Sequence, residues 1–320
     1  MTKSKNQHPS HLYTDIGVLG WTQQIVDAGY RGLEFITLNL MIDGSLIKTG
    51  GYNSSISPHY YHDVWRSTNK GISWTQITAT ATWSARYGHG GIALLDGSLI
   101  IMGGNASGTL QNDVWRSVDH GVTWSQLTST PGWSARNEFA SCLLPDGTIL
   151  IHGGSAITGG VHDMWKSVDG GTTWTEVVTI PTLPNRVKGI MAIMSDGSVL
   201  LYGGTLDSGY AQDVWRSTDG GVNWTQQTVT TPVPKRDNGG GCSQPGNRAI
   251  LLVATANSSI SRDLWYTNDF GVTWIKTPPL PFPWSSVSNP AILALPNGNL
   301  IITGGHGYNP TDSAGVWIYK

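Results

Sequence analysis

The chain predicts an all-β fold: a six-bladed β-propeller with four antiparallel strands per blade, in which an N-terminal strand completes the last blade. Three observations carry that expectation. The stretch Asp213–Trp224, DVWRSTDGGVNW, recurs as DVWRSTNKGISW from Asp63, DVWRSVDHGVTW from Asp113, DMWKSVDGGTTW from Asp163 and DLWYTNDFGVTW from Asp263. Starts at 63, 113, 163, 213 and 263 set a period of 50 residues, the mark of a repeat array. Upstream, Asp43-Gly44, Asp96-Gly97, Asp146-Gly147 and Asp196-Gly197, with Asn297-Gly298 a close relative, each sit between two apolar runs, a strong hairpin signal. Finally, a sixth copy is split between the termini: Thr14-Asp-Ile-Gly17 and Trp21-Thr-Gln-Gln24 match the back half of a repeat, and Gly304-Gly305 with Val316-Trp317 match its front half. Such a split closes the array and removes the exposed strand edges it would otherwise present.

Taken in order, residues 1–12 carry no pattern and are expected to be a flexible tail, with residues 13–320 one domain. Within a unit the second serves as the example. Strand a runs near Tyr87–Leu95, strand b over Ser98–Met102 up to Gly103-Gly104, strand c over Val114–Ser117, and strand d over Val122–Leu127. The turn between c and d, Ser-x-Asp-x-Gly, suits its residues, since Asp bonds the amides ahead of it and Gly accepts positive φ. In an up-and-down meander the a–b and c–d turns share one end of the blade, and the b–c and d–a loops share the other. The repeated turns therefore form one face, while the loops that differ in every unit form the opposite face, where binding residues concentrate on a rigid scaffold.

Composition narrows the function classes. Charged residues are 12% of the chain, against roughly 25% in ordinary soluble domains. The net charge of −2 argues against a nucleic-acid surface. No apolar run approaches the ~18 residues of a membrane span, so no membrane insertion is expected. The first ten residues read as a polar tail rather than a signal sequence. An extracellular or surface-associated placement is favoured slightly over a cytoplasmic one, and oligomeric state stays open.

The Ser-x-Asp-x-Gly-x-x-Trp turn resembles the Asp-box of sialidase-type propellers. The paired glycines (Gly103-Gly104, Gly153-Gly154, Gly203-Gly204), preceded by Arg86-Tyr-Gly-His89, resemble the kelch repeat. Together these motifs cover nearly all of residues 13–320. The kelch resemblance implies interaction roles more often than catalysis. The sialidase resemblance implies an arginine cluster whose first Arg is followed by Ile-Pro, whereas Arg31 is followed by Gly32-Leu33.

Candidate ligand-binding residues follow from the varied face. Arg31, Arg86, Arg136, Arg186 and Arg236 stand one per unit at the start of strand a. Two roles compete for them: converging guanidinium forks bind oxyanions, and a repeated Arg equally bonds carbonyls or carboxylates of its own scaffold. Of 15 Trp, twelve are framework; Trp83, Trp133 and Trp284 lie in d–a loops, near Tyr60, Tyr210 and Tyr308. Such aromatics suit sugar rings or peptide side chains, while packing on a neighbouring blade is the competing reading for Trp83 and Trp133. Few acids are free for general acid–base work: fourteen of 18 Asp occupy repeat positions, and the only Glu are Glu34, Glu138 and Glu176. Scattered His and the separated Cys142 and Cys242 point to no metal site, no cofactor and no disulfide. In the fifth unit, Gly239–Gly241 on the inner strand is expected to leave room in the channel beside Arg236 and Asp237.

The sequence thus supports a non-enzymatic binding module that holds a glycan or an acidic peptide on the face of the b–c and d–a loops. The alternatives are a glycan-active enzyme, sialidase-like or sialic-acid-epimerase-like, using Glu34, Glu138 or Asp237, and a structural element of a surface assembly.

Overall fold

The computed structural model describes residues 21–25, 33–55, 57–179, 181–228, 231–233, 240–244, 248–253, 263–277, 289–305 and 316–319. Among these, every regular element is a β-strand, and the strands form six four-stranded antiparallel sheets with two small additional sheets. The second sheet shows the common order: Gly90–Ala93, Leu99–Ala106, Thr109–Ser117 and Ser125–Thr128 pair in sequence. In the sixth sheet the order is Ala291–Ala294, Leu300–Thr303, Val316–Tyr319 and then Trp21–Ile25, which returns from the other end of the chain. Trp21 lies opposite Tyr319, Thr22 opposite Ile318 and Gln23 opposite Trp317.

The first strands of the sheets touch one another in sequence order. Thr37–Leu40 packs against Gly90–Ala93, that strand against Ala140–Leu143, and so on through Ile190–Ile193 and Gly240–Gln244 to Ala291–Ala294, which contacts Thr37–Leu40 again. Backbone bonds mark the same junction: Gly305 N donates to Leu33 O (2.8 Å) and Phe35 N to Asn289 O (3.4 Å). Second strands lie between neighbouring sheets, so Leu99, Ile100, Ile101 and Met102 are all fully buried. Each such side chain contributes roughly 1.5–3 kcal/mol by leaving water, and burial on both faces is why these strands read as unbroken apolar runs.

Local chemistry explains the repeated turns. In the Asp-Gly turn Asp43 Oδ1 accepts the Ser45 amide (2.9 Å) and hydroxyl (2.7 Å), while Gly44 at φ 81 donates to Met41 O. This is a three-residue loop ending in a left-handed residue, a conformation open to Gly at no steric cost. In the second turn the Ser117 hydroxyl donates to Asp119 Oδ1 (2.8 Å) and accepts the Gly121 amide (2.7 Å). Asp119 Oδ1 then takes the Thr123 amide (2.8 Å), and Trp124 Nε1 closes the turn on Gly121 O (3.0 Å). The same bonds recur from Ser67, Ser167 and Ser217, and Thr267 supplies the hydroxyl in the fifth copy.

Two expectations are corrected. Strand b was expected to stop at the Gly pair, yet in the second unit it continues to Ala106 and pairs with a lengthened strand c, Asn105 opposite Leu110. Gly103 and Gly104, at φ 60 and 99, form a bulge rather than an end. A Cβ on Gly103 would stand 2.9 Å from Arg136 O of the next unit, so the bulge needs glycine to seat that neighbour. In the fifth unit Gly240 and Gly241 leave no room: a Cβ there would lie 2.9 Å from Pro290 O and 2.8 Å from the Tyr202 hydroxyl. Neighbouring sheets fill the space at these two glycines, while Gly239, the remaining residue of that expectation, lies outside the described residues.

Candidate functional site

The repeated arginines fold inward. Arg86 has no accessible surface, and all five of its N–H groups are engaged. Nη1 and Nη2 fork onto Asp113 (2.6 and 2.9 Å), Nη1 also reaches Gly103 O (2.8 Å), and Nε and Nη2 return to the Ser84 carbonyl and hydroxyl. Arg136 repeats the pattern on Asp163, Gly153 and Ser134, with its guanidinium 5.9 Å over Trp133 as that of Arg86 is 6.0 Å over Trp83. Three residues of Trp-Ser-Ala-Arg thereby gain a role: Trp as a floor, Ser as a double acceptor, Arg as the clasp. Arg186, preceded by Leu183-Pro-Asn rather than Trp-Ser-Ala, bonds Asp213 and Gly203 O but leaves Nε without a partner. Burial raises the Asp113 and Asp163 carboxyls, but their bonds to arginine and to Trp115 and Trp165 outweigh it and hold both below the ordinary range.

The oxyanion-binding expectation for Arg86, Arg136 and Arg186 is therefore corrected, because a guanidinium with no exposed surface and a fully bonded carboxylate partner cannot meet a ligand. Each clasp ties the start of strand a to the glycine bulge and to strand c of its own sheet. Replacing the buried Arg136 by Ala leaves the part-buried Asp163 without its counter-charge, and the expected loss is about 3 kcal/mol, the low end for breaking a buried pair. Urea melts of this variant beside Arg136→Lys, which keeps the charge but not the fork, check the value.

Trp83 and Trp133 are likewise buried, each 1% exposed, edge-on to Trp124 and Trp174. They pack between units rather than line a surface. Tyr210 sits half-buried on the small hairpin Thr205–Leu206 with Gly209–Tyr210. Arg31, Arg236, Trp284 and Tyr308 lie outside the described residues, as does Asp237.

What the varied face presents is an aromatic cluster around Tyr60. Its ring lies 5.3 Å from Tyr52 and 5.9 Å from Tyr87; Tyr52 and Tyr87 are 5.3 Å apart, and Phe35 adds its ring 5.2 Å from Tyr87. All four are half-buried. The missed residues had a readable signal. Tyr52 occupies the place of Asn105, Ser155 and Thr205 after the glycine pair, and Tyr87 the place of Asn137 and Val187 after the arginine, so tyrosine stands at these places in units 1 and 2 where the other units carry different residues.

Beside the cluster opens a cavity of about 160 Å³ lined by Phe35, Gly88, Glu138, Lys188 and Asn289, among others. These five occupy equivalent positions in five units, and all have positive φ, from 54 to 61. Backbone bonds link them around the mouth: Lys188 N to Glu138 O (2.7 Å), Glu138 N to Gly88 O (2.7 Å), Gly88 N to Phe35 O (3.2 Å) and Phe35 N to Asn289 O (3.4 Å). Asn289 Nδ2 donates to Glu34 Oε2 (2.9 Å) across the junction of the first and sixth sheets. Burial raises the Tyr87 phenol above its ordinary range, and the carboxylates of Glu138 and Glu34 add to the rise. The two cysteine thiols are pushed up to about 12 by burial and are inert at neutral pH.

The arginine clasp, glycine bulge and apolar second strand recur through the stretch that matches a known family. Residues 34–253 of the 320-residue chain match the KLHDC2/KLHL20/DRC7 Kelch-repeats domain. No curated protein matches the chain. By this match the chain belongs to the KLHDC2/KLHL20/DRC7 Kelch-repeats domain family.

Proposed function

We propose that residues 13–320 form one closed six-bladed propeller that acts as a non-enzymatic protein-interaction module, and that its ligand is a peptide segment bound on the varied face at the mouth of the ring. Membership of a kelch-repeat family supports the interaction role. Six four-stranded sheets whose first strands touch in a cycle, with Trp21–Ile25 paired to Val316–Tyr319, support the closed ring. The Ser-x-Asp-x-Gly turns keep their Asp-box reading as elements of the opposite face.

The observation that carries the binding reading is the cluster Phe35, Tyr52, Tyr60 and Tyr87. Four half-buried rings in contact beside a cavity form the kind of anchor surface that dominates recognition. Sugar rings also stack on tyrosine faces, so a glycan is the second ligand class to test.

A displayed random-peptide library panned on the purified chain, run beside a glycan array, tests the reading. Tyr60→Ala is expected to weaken any selected peptide at least 30-fold, a loss of about 2 kcal/mol, while Ile42→Ser on the repeated-turn face leaves affinity unchanged. Selected peptides that bind Tyr60→Ala as well as the parent chain would remove the cluster as the site.

A further inference from the structure

Among the described residues the mouth carries more acid than base, where the sequence suggested a basic surface. Of the repeat arginines, Arg86, Arg136 and Arg186 are closed inside the scaffold on Asp113, Asp163 and Asp213. Among the described residues, the charges around the cavity are the carboxylates of Glu34 and Glu138 and the ammonium of Lys188.

Lys188 shows what this surface does with a cation. It belongs to the fourth unit, yet its Nζ stands 5.3 Å over the ring of Phe35 in the first unit and 3.9 Å from Glu138 Oε2 in the third. The side chain thus spans the mouth, with its ammonium between an aromatic face and a carboxylate. That pairing is the chemistry by which proteins recognise cationic side chains. Phe35 is edged by Tyr87, whose phenol lies in the field of the same two carboxylates. Phe35, Glu138, Lys188 and Asn289 are all held in the left-handed backbone region, a costly conformation that non-glycine residues keep where the surroundings impose it and that clusters at binding sites.

Resting on the peptide-binding reading above, we infer that the mouth receives one cationic side chain, a lysine or arginine of the partner peptide, against Phe35 and Tyr87 and between Glu34 and Glu138, in the place the chain's own Lys188 fills. An acidic side chain would instead meet two carboxylates with one ammonium already engaged. The cavity of about 160 Å³ takes the end of one side chain rather than a folded element. Lys188 then acts as an internal competitor: a ligand's cation enters as the Lys188 ammonium swings out.

The test has two arms on the full chain. In the first, Nα-acetyl-lysine methylamide and its norleucine counterpart, which has no ammonium, are titrated while the ring resonances of Tyr52, Tyr60 and Tyr87 are followed. Saturable shifts are expected with the lysine probe only. They should be at least 5-fold tighter in Lys188→Met, which keeps the chain length and removes the competitor, and lost in Glu138→Gln. Equal responses to both probes, or lysine binding that Glu138→Gln leaves unchanged, overturns the cation site. In the second arm, peptides selected by display are expected to be enriched in Lys and Arg, with affinity falling at least 10-fold in Glu138→Gln. Selected peptides without that enrichment overturn the inference and leave the interaction role standing. Lysine-probe binding with no selectable peptide supports the cation site and removes the peptide reading instead.

Discussion

Deleting residues 1–26 is expected to destabilise the whole chain, not only its end. The deletion removes Trp21–Ile25, whose backbone pairs with Val316–Tyr319. Val316, Trp317 and Ile318 are 0%, 4% and 5% exposed and belong to clusters that include Leu46 and Trp74 of the first unit and Leu264 of the fifth. Losing the outer strand leaves their N–H and C=O groups as an open edge beside that apolar surface. Four residue pairings at about 1 kcal/mol each, with the added exposure of apolar area, make the loss on the order of 5 kcal/mol or more. Because the sixth sheet joins the fifth to the first, one cooperative transition at a much lower temperature is expected by calorimetry. A truncated chain that melts as the intact one does would refute the closed ring.

Stability is expected to fall as pH drops from about 6.5 toward 4. His89 and His152 are buried, and burial followed by the nearby guanidinium groups of Arg86 and Arg186 depresses them to about 3 and about 4. The His89 ring shares a hydrogen bond with Thr49 Oγ1 (2.9 Å), and the His152 ring lies 3.1 Å from Asp163 O through Nδ1. In the unfolded chain both titrate near the ordinary 6.5, so the unfolded state binds up to two more protons across this window. A folded pKa held below the unfolded one means stability present above the unfolded value and lost as pH falls toward the folded value. Each histidine contributes roughly 1.4 kcal/mol per pH unit, so about 5 kcal/mol is lost between pH 6.5 and 4.5. The clasp carboxylates cannot produce this slope, since Asp113 and Asp163 are held below the ordinary carboxylate range and act only at lower pH. Urea melts at pH 7, 6 and 5 check the slope, and His152→Gln is expected to halve it. A flat profile over that range would mean that the two rings take up protons without unfolding.

The sequence by itself determined what is local and repeated. Ser117, Asp119, Gly121 and Trp124 bond one another within eight residues, so the turn shows directly as a spaced motif. Period and strand order follow from the same repetition, and so does the pairing of the first residues with the last, since the missing half of one repeat stands at the other end. The arginine clasp was half legible: Arg86 and Asp113 both recur, but nothing in their spacing of 27 residues says that the guanidinium turns inward. That direction is set by Trp83 beneath it and by the bulge at Gly103, and hence by packing. The mouth was not legible, because its contacts join units rather than neighbours in the chain. Lys188 reaches Phe35, and Asn289 bonds Glu34 across 255 residues. Only the packing of sheet against sheet decides which side chains face each other there, and so turns Arg86, Arg136 and Arg186 into scaffold and a few unrepeated residues into the candidate site.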